Sequence, residues 1–304
     1  MLRYLAAASF YKLFSLNPLT RKIYQFSGNI IGNFYRKKGS LPQSYLQRVY
    51  WIKDLLDRYH LIRENTKLLE LGTGWAHWES LVIRALYDIE VTLFDVTDKR
   101  QLGAFKKFAF NLFRVLHQME YVTKEQLQKI APMIEEIQKV STFSQLYKLL
   151  NWSYVLEKSG SLRQFPDNAF DLVYSYNVLE HVYQSLLPEY ICQIRRVLKP
   201  GGYSFHKIDI SDHFTNYDPK ASEKAYLRFS NKVWKTFFEN DILYINRIQR
   251  STWLQYFEQS GLKLIEENSR YFDIQTSIHN QHKNLNDDDI NCVTLYLIHQ
   301  KKHE

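Results

Sequence analysis

The spacing of apolar residues divides the chain near residue 65. Before this point apolar side chains recur at helical spacing, and Tyr50, Ile52 and Leu55 lie on one side of the last predicted helix. We therefore predict that residues 1–64 form a helical extension. Its helices are expected to break at residues that interrupt helices, namely Asn17-Pro18, Gly28, Gly39 and Pro42.

After residue 65 the pattern alternates between short apolar runs and longer amphipathic ones. The first runs predict a strand at 67–71, a glycine turn at 72–74, a helix at 78–87 and a strand at 91–96. This alternation indicates a βαβ unit with a right-handed crossover, and hence an α/β fold with a parallel sheet. Further along the chain we predict strands at 170–176, 203–210, 262–266 and 292–299, and helices at 178–198 and 251–260.

Two segments interrupt this alternation within residues 65–304, which are otherwise expected to form one domain. Residues 99–158 are too long for an ordinary crossover and have apolar residues at helical spacing, so we predict a helical insertion. Capping boxes at Thr123 and Thr142, each with a glutamine three residues later, indicate at least three helices in it. Residues 211–250 are rich in aromatic side chains and are predicted to form a lid or a wall of an acceptor pocket.

Composition and charge narrow the class of protein. No apolar run approaches the roughly 20 residues that cross a bilayer, and the apolar start lacks a cleavage site, so neither a transmembrane helix nor a signal peptide is expected. The two cysteines favour reduced thiols and a cytoplasmic location. The net charge of +8 comes from residues 1–64, which hold 11 basic and three acidic residues. Two interpretations stay open: peripheral contact with an anionic membrane or substrate, or a helical cap with solvated cations.

The candidate ligand loop follows the first strand of the βαβ unit. Glycines at 72 and 74 let the backbone turn sharply and approach a ligand closely, but dinucleotide-binding enzymes share this feature. The third glycine of the dinucleotide fingerprint is replaced by His77. Glu70 would repel a pyrophosphate, and it suits the cationic amino acid end of S-adenosylmethionine. Asp95, at the end of the second strand, can accept ribose hydroxyls in either class of enzyme.

Together with later motifs, this loop resembles class I methyltransferases of the type 11 group. The matching segments follow the order and spacing of that family and cover roughly residues 66–210. Residues 206–214, with the aromatic segment after them, are also similar to methyltransferases of bacterial polysaccharide biosynthesis. The resemblance implies a Rossmann-like seven-stranded sheet, S-adenosyl-L-methionine as cofactor and S-adenosyl-L-homocysteine as product. The motifs are the segments at 69–74, 95, 165–171, 178–182 and 198–202.

The resemblance also implies cofactor contacts. Where the family has an acidic residue at the adenine amine, this chain has Ser159-Gly160-Ser161, so the Ser159 hydroxyl or a backbone carbonyl must substitute. The other implied residues are Glu70, Gly72, Thr73 and Gly74 at the methionine portion, Asp95 at the ribose, Val96 at the adenine, and Asn177 and Val178 beside the sulfonium.

Methyl transfer mainly requires that the acceptor be positioned and water excluded, so no metal is obligatory. An alcohol or protonated amine acceptor still gains from a base, and histidine suits this role near neutral pH. His181 and the pair Asp212-His213 follow the fourth and fifth strands, at the sheet edge where ligands bind, and are the candidate catalytic residues. Two alternatives stay open: His181 as a residue that orders a helix start, and Asp212 with His213 as a local loop cap.

A metal site is not expected, because strand alternation sends His206 and Asp209, the neighbours of Asp212 and His213, to opposite faces.

The leading prediction is an enzyme that methylates a hydroxyl or amine of a sugar, a glycan intermediate or another small metabolite. Two alternatives remain, an NAD-dependent oxidoreductase and a methyltransferase-like scaffold without catalysis. Nucleic acid is not the expected acceptor, because the basic residues lie in the extension and the Asn-Pro-Pro-aromatic signature is missing. A membrane-borne acceptor stays open, and no oligomeric state is predicted.

Overall fold

A computed structural model describes residues 2–38, 41–117, 119 and 122–303. The helices are α1 Leu2–Ser15, α2 Pro18–Lys38, α3 Gln43–Arg58, α4 Trp78–Leu86, α5 Leu102–Leu116, α6 Lys124–Lys139, α7 Phe143–Leu150, α8 Leu187–Val197, α9 Asn231–Phe237, α10 Arg250–Gln259 and α11 Asp287–Asn291. The strands are β1 Lys67–Leu71, β2 Glu90–Asp95, β3 Trp152–Leu156, β4 Phe170–Tyr176, β5 Leu198–Asp209, β6 Leu262–Glu267, β7 Arg270–Tyr271 and β8 Cys292–Lys301.

The strands pair in the order β3-β2-β1-β4-β5-β8-β6, and β7 pairs with β8 outside this path. β1, β2 and β3 are parallel, with Lys67 opposite Glu90 and Val91 opposite Trp152. β6 and β7 run antiparallel to β8. The predicted Rossmann-like α/β sheet is confirmed, and the two-residue strand β7 brings the number of strands among the described residues to eight.

The chain divides into two compact units. The first unit is Gly28–Tyr174 with Val197–Tyr203. The second unit is the chain up to Ser27, together with Ser175–Arg196 and the chain from Ser204 onward. Each unit is described by itself below.

The core of the first unit surrounds β1, in which four consecutive residues are buried, as expected of a parallel strand covered on both faces. The predicted insertion contains α5, α6 and α7, and both capping boxes, at Thr123 and Thr142, are present with their reciprocal hydrogen bonds. Its last residues depart from the prediction, because the aromatic and β-branched run at 152–156 forms strand β3 beside β2.

The core of the second unit is aromatic and includes the first helix. Tyr4, Ala8 and Tyr11 of α1 are buried in one cluster with Phe214 and Trp234. Helix α1 is therefore part of this hydrophobic core rather than a solvated cap. The segment at 211–250 is also more ordered than predicted, since it contains α9 and two short 3-10 turns, His213–Asn216 and Ala225–Arg228.

Three predicted boundaries were wrong. Helix α2 runs through Gly28 without a break, because an isolated glycine weakens a helix without ending it. The predicted helix at 178–198 begins only at Leu187. Pro188 is the second residue of this helix, and a proline is tolerated only in the first turn. Strand β5 begins at Leu198 instead of residue 203, and Gly202 already packs against β4: a Cβ there would lie 2.9 Å from the carbonyl oxygen of Asp171. The predicted break at Gly39 lies outside the described residues.

Within the described residues, no helix combines the length and the apolar character needed to cross a lipid bilayer.

Candidate active site

In the first unit, the loop that follows β1 is hydrogen-bonded to the end of β2. Gly72 and Gly74 adopt positive φ angles of 67° and 63°, a conformation that favours glycine. The N–H groups of Gly72 and Thr73 donate to the carbonyl oxygen of Phe94 at 2.8 and 3.2 Å. The N–H group of Gly74 donates to a carboxylate oxygen of Asp95 at 2.9 Å. All three N–H groups therefore point at β2, whereas a dinucleotide loop presents N–H groups to a pyrophosphate.

The Asp95 carboxylate organises this end of the sheet. One oxygen accepts from Gly74, and the other accepts from the N–H groups of Val96 at 2.8 Å and Thr97 at 3.1 Å. A carboxylate has about four acceptor positions, so one remains for a ribose hydroxyl. The open side of the loop has room for a ligand, since the nearest atom to a Cβ built on Gly74 is the Gly72 oxygen, 4.0 Å away. The residues present thus fit the predicted ribose and methionine contacts.

Glu70 is a buried carboxylate behind the loop. It accepts a hydrogen bond from the Ser80 hydroxyl, and burial, followed by the nearby charge of Glu79, raises its pKa well above the usual range. Glu79 is itself paired with Arg48, at 2.8 Å. A buried carboxylate with a raised pKa is stabilised by a cationic group, which is what the amino end of S-adenosylmethionine offers.

His77 has a left-handed backbone conformation, which glycine adopts more readily than other residues. Its φ of 46° and ψ of 42° are left-handed, which costs a residue with a Cβ roughly 1–2 kcal/mol. Its buried ring offsets this cost with two hydrogen bonds, one between Nδ1 and the Thr73 hydroxyl at 2.7 Å and one between Nε2 and the Tyr147 hydroxyl at 3.0 Å. Burial lowers the pKa of His77 to about 3, so the ring is neutral. His77 therefore positions Thr73 in the loop.

The turn after β3 contains an acidic residue that sequence reasoning missed. Glu157 donates its N–H to the carbonyl oxygen of Asp95 at 3.0 Å, and its carboxylate accepts from both the N–H and the hydroxyl of Ser159. These bonds lower the pKa of Glu157. Gly160 has a positive φ of 75°, and a Cβ built on it would lie 3.6 Å from a methyl group of Val96. A carboxylate is therefore present two residues before Ser159, and its place directly after a strand could have indicated it.

In the second unit, Asn177 and Val178 follow β4. Asn177 has a positive φ of 56°, and its N–H donates to the carbonyl oxygen of Lys207 at 2.9 Å. The Asn177 side-chain oxygen is buried and accepts no hydrogen bond within the described part of the chain. An oxygen of this kind is attracted to a positive centre, which fits the predicted place beside a sulfonium. Both residues are partly exposed.

Three side chains of the second unit form one cluster. A carboxylate oxygen of Glu180 and one ring nitrogen each of His181 and His213 all lie within 4.8 Å of one another. The 3-10 turn Leu179–His181 carries the first two, and His213 begins the turn after β5. The imidazole rings stand 5.2 Å apart at 88°. The predicted catalytic residues His181 and His213 are therefore neighbours. Glu180, which sequence reasoning treated only as part of a motif, lies beside both.

Asp212, the third predicted catalytic residue, occupies a different environment. It is fully buried, with an exposure of 0%, and its oxygens accept from the Tyr4 hydroxyl at 2.6 Å and the Phe214 N–H at 3.0 Å. Burial raises its pKa to about 6. These contacts suit a residue that fixes the turn bearing His213 rather than one that touches a substrate.

His206 and Asp209 lie in different surroundings, as the alternation of side chains along a strand predicts. His206 is buried, hydrogen-bonded to the Ser175 hydroxyl at 2.7 Å and stacked on Phe257. Burial lowers its pKa to about 3. The Asp209 carboxylate instead lies 3.5 Å from the Lys207 ammonium, two residues earlier on the same strand.

Comparison with solved structures finds proteins of low sequence identity. A methyltransferase from Methanosarcina mazei is 13% identical, with 82% of this chain and 98% of that chain covered and a TM-score of 0.49. Phosphoethanolamine N-methyltransferase 2 of Haemonchus contortus, in complex with S-adenosyl-L-methionine, is 12% identical, with 83% and 52% covered and a TM-score of 0.46. The [4+2]-cyclase SpnF is 14% identical, with 88% and 85% covered and a TM-score of 0.47. No curated protein sequence matches the chain.

Comparison with protein families is more decisive. A family model described as a methyltransferase domain matches residues 43–267, about three quarters of the chain. This match includes β1, the glycine loop, Asp95 and the Glu180-His181 turn. The predicted cofactor, S-adenosylmethionine, is confirmed at the level of the family, and the dinucleotide alternative is not retained. The chain belongs to the family of methyltransferase domains.

Proposed function

We propose that this protein transfers the methyl group of S-adenosylmethionine to a hydroxyl or amine of a small molecule, with a sugar or glycan intermediate as the first candidate. The observation that carries the proposal is the loop at 72–74. Its N–H groups are bound to Phe94 and Asp95, and the buried Glu70 lies behind it, so it suits a cationic amino acid rather than a pyrophosphate.

The cofactor contacts in the first unit follow from this loop. Glu70 and the loop residues at 72–74 would hold the methionine portion, and Asp95 would accept from the ribose hydroxyls. Val96 would line the adenine, and Ser159 with Glu157 would bind the adenine amine, because a carboxylate and a hydroxyl both accept from an N–H donor. In the second unit, Asn177 and Val178 remain the predicted neighbours of the sulfonium.

The acceptor must lose a proton as it is methylated. An oxygen or nitrogen lone pair of the acceptor forms the new bond to carbon while the carbon–sulfur bond breaks, and the electron pair stays on sulfur. His181 and His213 are the candidate groups that receive the proton, directly or through water. Asp212 has a positioning role, because it holds the His213 turn through its bond to the Phe214 N–H.

The proposal is tested by product formation. Purified protein is incubated with S-adenosylmethionine and panels of acceptors that carry sugar hydroxyls, phenolic hydroxyls or amines, and S-adenosylhomocysteine release is measured. We expect release that depends on one class of acceptor and falls at least tenfold in His213→Asn. Cofactor binding without release for any acceptor would instead favour the scaffold alternative.

We also propose that helix α2 rests on an anionic membrane surface. Leu19, Ile23, Phe26, Ile30 and Phe34 follow one another at helical spacing, and each is more than half exposed. The exposed Lys22 near the start of the helix, and the excess of basic residues in 1–64, complement negative lipid headgroups. Both cysteines are free thiols, in line with the cytoplasmic face of such a membrane.

A further inference from the structure

We propose that Glu180, His181 and His213 bind one divalent transition-metal ion, which activates a hydroxyl group as the methyl acceptor. The metal site rests on side chains of the second unit alone. Its role in activating the acceptor rests on the proposed function.

The positions of the side chains fit a single ion. One possible ligand atom from each residue lies within 4.8 Å of the other two. Two ligand atoms at zinc's bond lengths of about 2.0–2.2 Å lie at most about 4.4 Å apart, so small side-chain rotations would bring these three atoms onto one ion. Two imidazoles and one carboxylate with open positions is also the ligand set of catalytic zinc sites and of non-haem iron sites.

Hydrogen bonds to backbone carbonyls make Nε2 the metal-binding nitrogen of both rings. Nδ1 of His181 lies 2.6 Å from the carbonyl oxygen of Tyr244, and Nδ1 of His213 lies 3.1 Å from that of Ser211. A carbonyl oxygen only accepts, so each Nδ1 carries the hydrogen and donates it. In each neutral ring the lone pair is therefore on Nε2. Metal-binding histidines are commonly oriented by this kind of bond to a backbone carbonyl.

The Glu180 carboxylate provides a second, independent observation that points to a bound cation. Its side chain is 1% exposed, and one oxygen accepts from the Asp209 N–H at 3.3 Å. The other oxygen is buried and accepts no hydrogen bond within the described residues. A buried carboxylate oxygen without a donor is costly, and a cation in the cluster would remove that cost. The neighbouring Lys207 is paired with Asp209, so its charge is partly compensated.

The ligand chemistry favours one class of metal. Imidazole nitrogens suit zinc, iron, cobalt and nickel, whereas magnesium and calcium prefer oxygen ligands throughout. Two of the three ligands here are imidazoles. We therefore expect zinc and its first-row neighbours to bind, and magnesium to bind much more weakly.

A bound cation changes how the acceptor loses its proton. The hydroxyl oxygen of the acceptor occupies an open coordination position, its pKa falls, and its proton passes to solvent. The metal-bound oxygen then attacks the methyl carbon as the carbon–sulfur bond breaks, leaving neutral S-adenosylhomocysteine. In this form the two imidazoles are ligands and do not act as bases. Hydroxyl acceptors are therefore expected in preference to amines, which remain protonated near neutral pH.

Isothermal titration of metal-free protein with zinc chloride tests the site without methyl transfer. We expect one zinc ion per chain, and affinities at least tenfold weaker in Glu180→Gln, His181→Asn and His213→Asn. Asparagine keeps a donor for the backbone carbonyl but removes Nε2, so these histidine variants preserve the local hydrogen bond. The matched control is His279→Asn, in an exposed turn where asparagine also serves as a helix cap.

Long-range ¹⁵N spectra of the histidine rings provide a second measurement on the unaltered protein. We expect zinc to shift the Nε2 signals of two rings whose Nδ1 atoms remain protonated. Absence of stoichiometric zinc binding, or binding that His181→Asn and His213→Asn leave unchanged, would overturn the proposal. Zinc binding without any S-adenosylmethionine binding would leave the metal site standing and refute the proposed function instead.

Discussion

Among single residues, Asp95 combines an observed structural role with a predicted one. Its carboxylate fixes the glycine loop through Gly74 and the end of β2 through Val96 and Thr97, and it is also the predicted ribose ligand. The sequence placed Asp95 correctly at the end of a strand. Its bonds to three N–H groups depend on the folded turn and were not predicted.

Asp95→Asn is expected to weaken S-adenosylmethionine binding by tenfold or more. The new amide nitrogen must face the N–H of Gly74 or those of Val96 and Thr97, so a backbone donor loses its acceptor, at a cost of about 1–3 kcal/mol. Isothermal titration measures the change. Asp98→Asn is the control, because Asp98 is a half-exposed residue paired with Arg100 nearby. Equal affinity in Asp95→Asn and the unaltered protein would remove Asp95 from the site.

Lys224 is a buried cation that predicts a pH dependence of stability. Its ammonium donates to the Gln249 side chain at 2.7 Å, and burial lowers its pKa to about 7, against the smaller opposing effects of Cys292, Asp289 and Asp209. Between pH 7 and about 10.5 the unfolded chain binds more protons at this residue than the folded chain does. The stability contributed by Lys224 therefore rises with pH across this window.

Lys224→Met should abolish this slope. Urea unfolding at several pH values is expected to show that the free energy of unfolding of the unaltered protein, relative to the variant, rises by roughly 1 kcal/mol per pH unit between pH 7 and 10. The exposed-lysine variant Lys232→Met should retain the slope of the unaltered protein. Parallel pH profiles for Lys224→Met and the unaltered protein would show that Lys224 does not titrate in this window.

At the scale of elements, helix α1 is tied to the turn that carries His213. The Tyr4 hydroxyl donates to the buried Asp212 carboxylate, and Lys12 donates to the carbonyl oxygens of Lys235 and Glu239 at the end of α9. A cation at the C-terminal end of a helix is favourable to the helix dipole. Removal of the first helix would therefore disturb the second unit's core and the candidate acceptor residues together.

Tyr4→Phe is expected to lower the free energy of unfolding by about 1–3 kcal/mol, because it leaves one oxygen of the buried Asp212 without its donor. Chemical denaturation measures the loss. Tyr35→Phe removes the same hydroxyl from a tyrosine that is 68% exposed and serves as the control, with little expected change. If both variants unfold at the same denaturant concentration as the unaltered protein, the Tyr4–Asp212 bond does not stabilise the fold.

Substitutions on the exposed face of helix α2 test whether this helix binds an anionic membrane. A deletion is unsuitable because α1 lies in the core, so we choose the double variant Phe26→Gln/Ile30→Gln, in which both residues are exposed in the structure. The unaltered protein should sediment with vesicles that contain phosphatidylserine, less so at high salt, and weakly with phosphatidylcholine alone. The double variant should lose most of this binding, whereas Gln25→Ser should keep it. Equal sedimentation of the protein and the double variant would end the proposal.

At the scale of the whole molecule, sequence reasoning succeeded where the determinants are local. The strand at 67–71 and the capping boxes at Thr123 and Thr142 each depend on a few adjacent residues, and the structure confirms them. It failed where distant residues meet. Tyr4 and Asp212 are 208 positions apart, and nothing near Tyr4 indicates its partner.

In the candidate site, too, sequence reasoning found the local features and missed the long-range contacts. His181 and His213 were chosen because each follows a strand, but their contact through Glu180 depends on two turns that sequence periodicity does not describe. Glu157 was missed because the family pattern directs attention to position 159. Asp212 was included because of its position in the chain, and only burial against α1 shows its different environment.

Calorimetry with paired ligands decides whether the glycine loop of this methyltransferase domain binds S-adenosylmethionine. We expect S-adenosylmethionine and S-adenosylhomocysteine each to bind once per chain with micromolar dissociation constants. NAD should show no measurable heat, since the loop offers its pyrophosphate no N–H groups. Binding of NAD, or absence of binding by both sulfur ligands, would contradict the account.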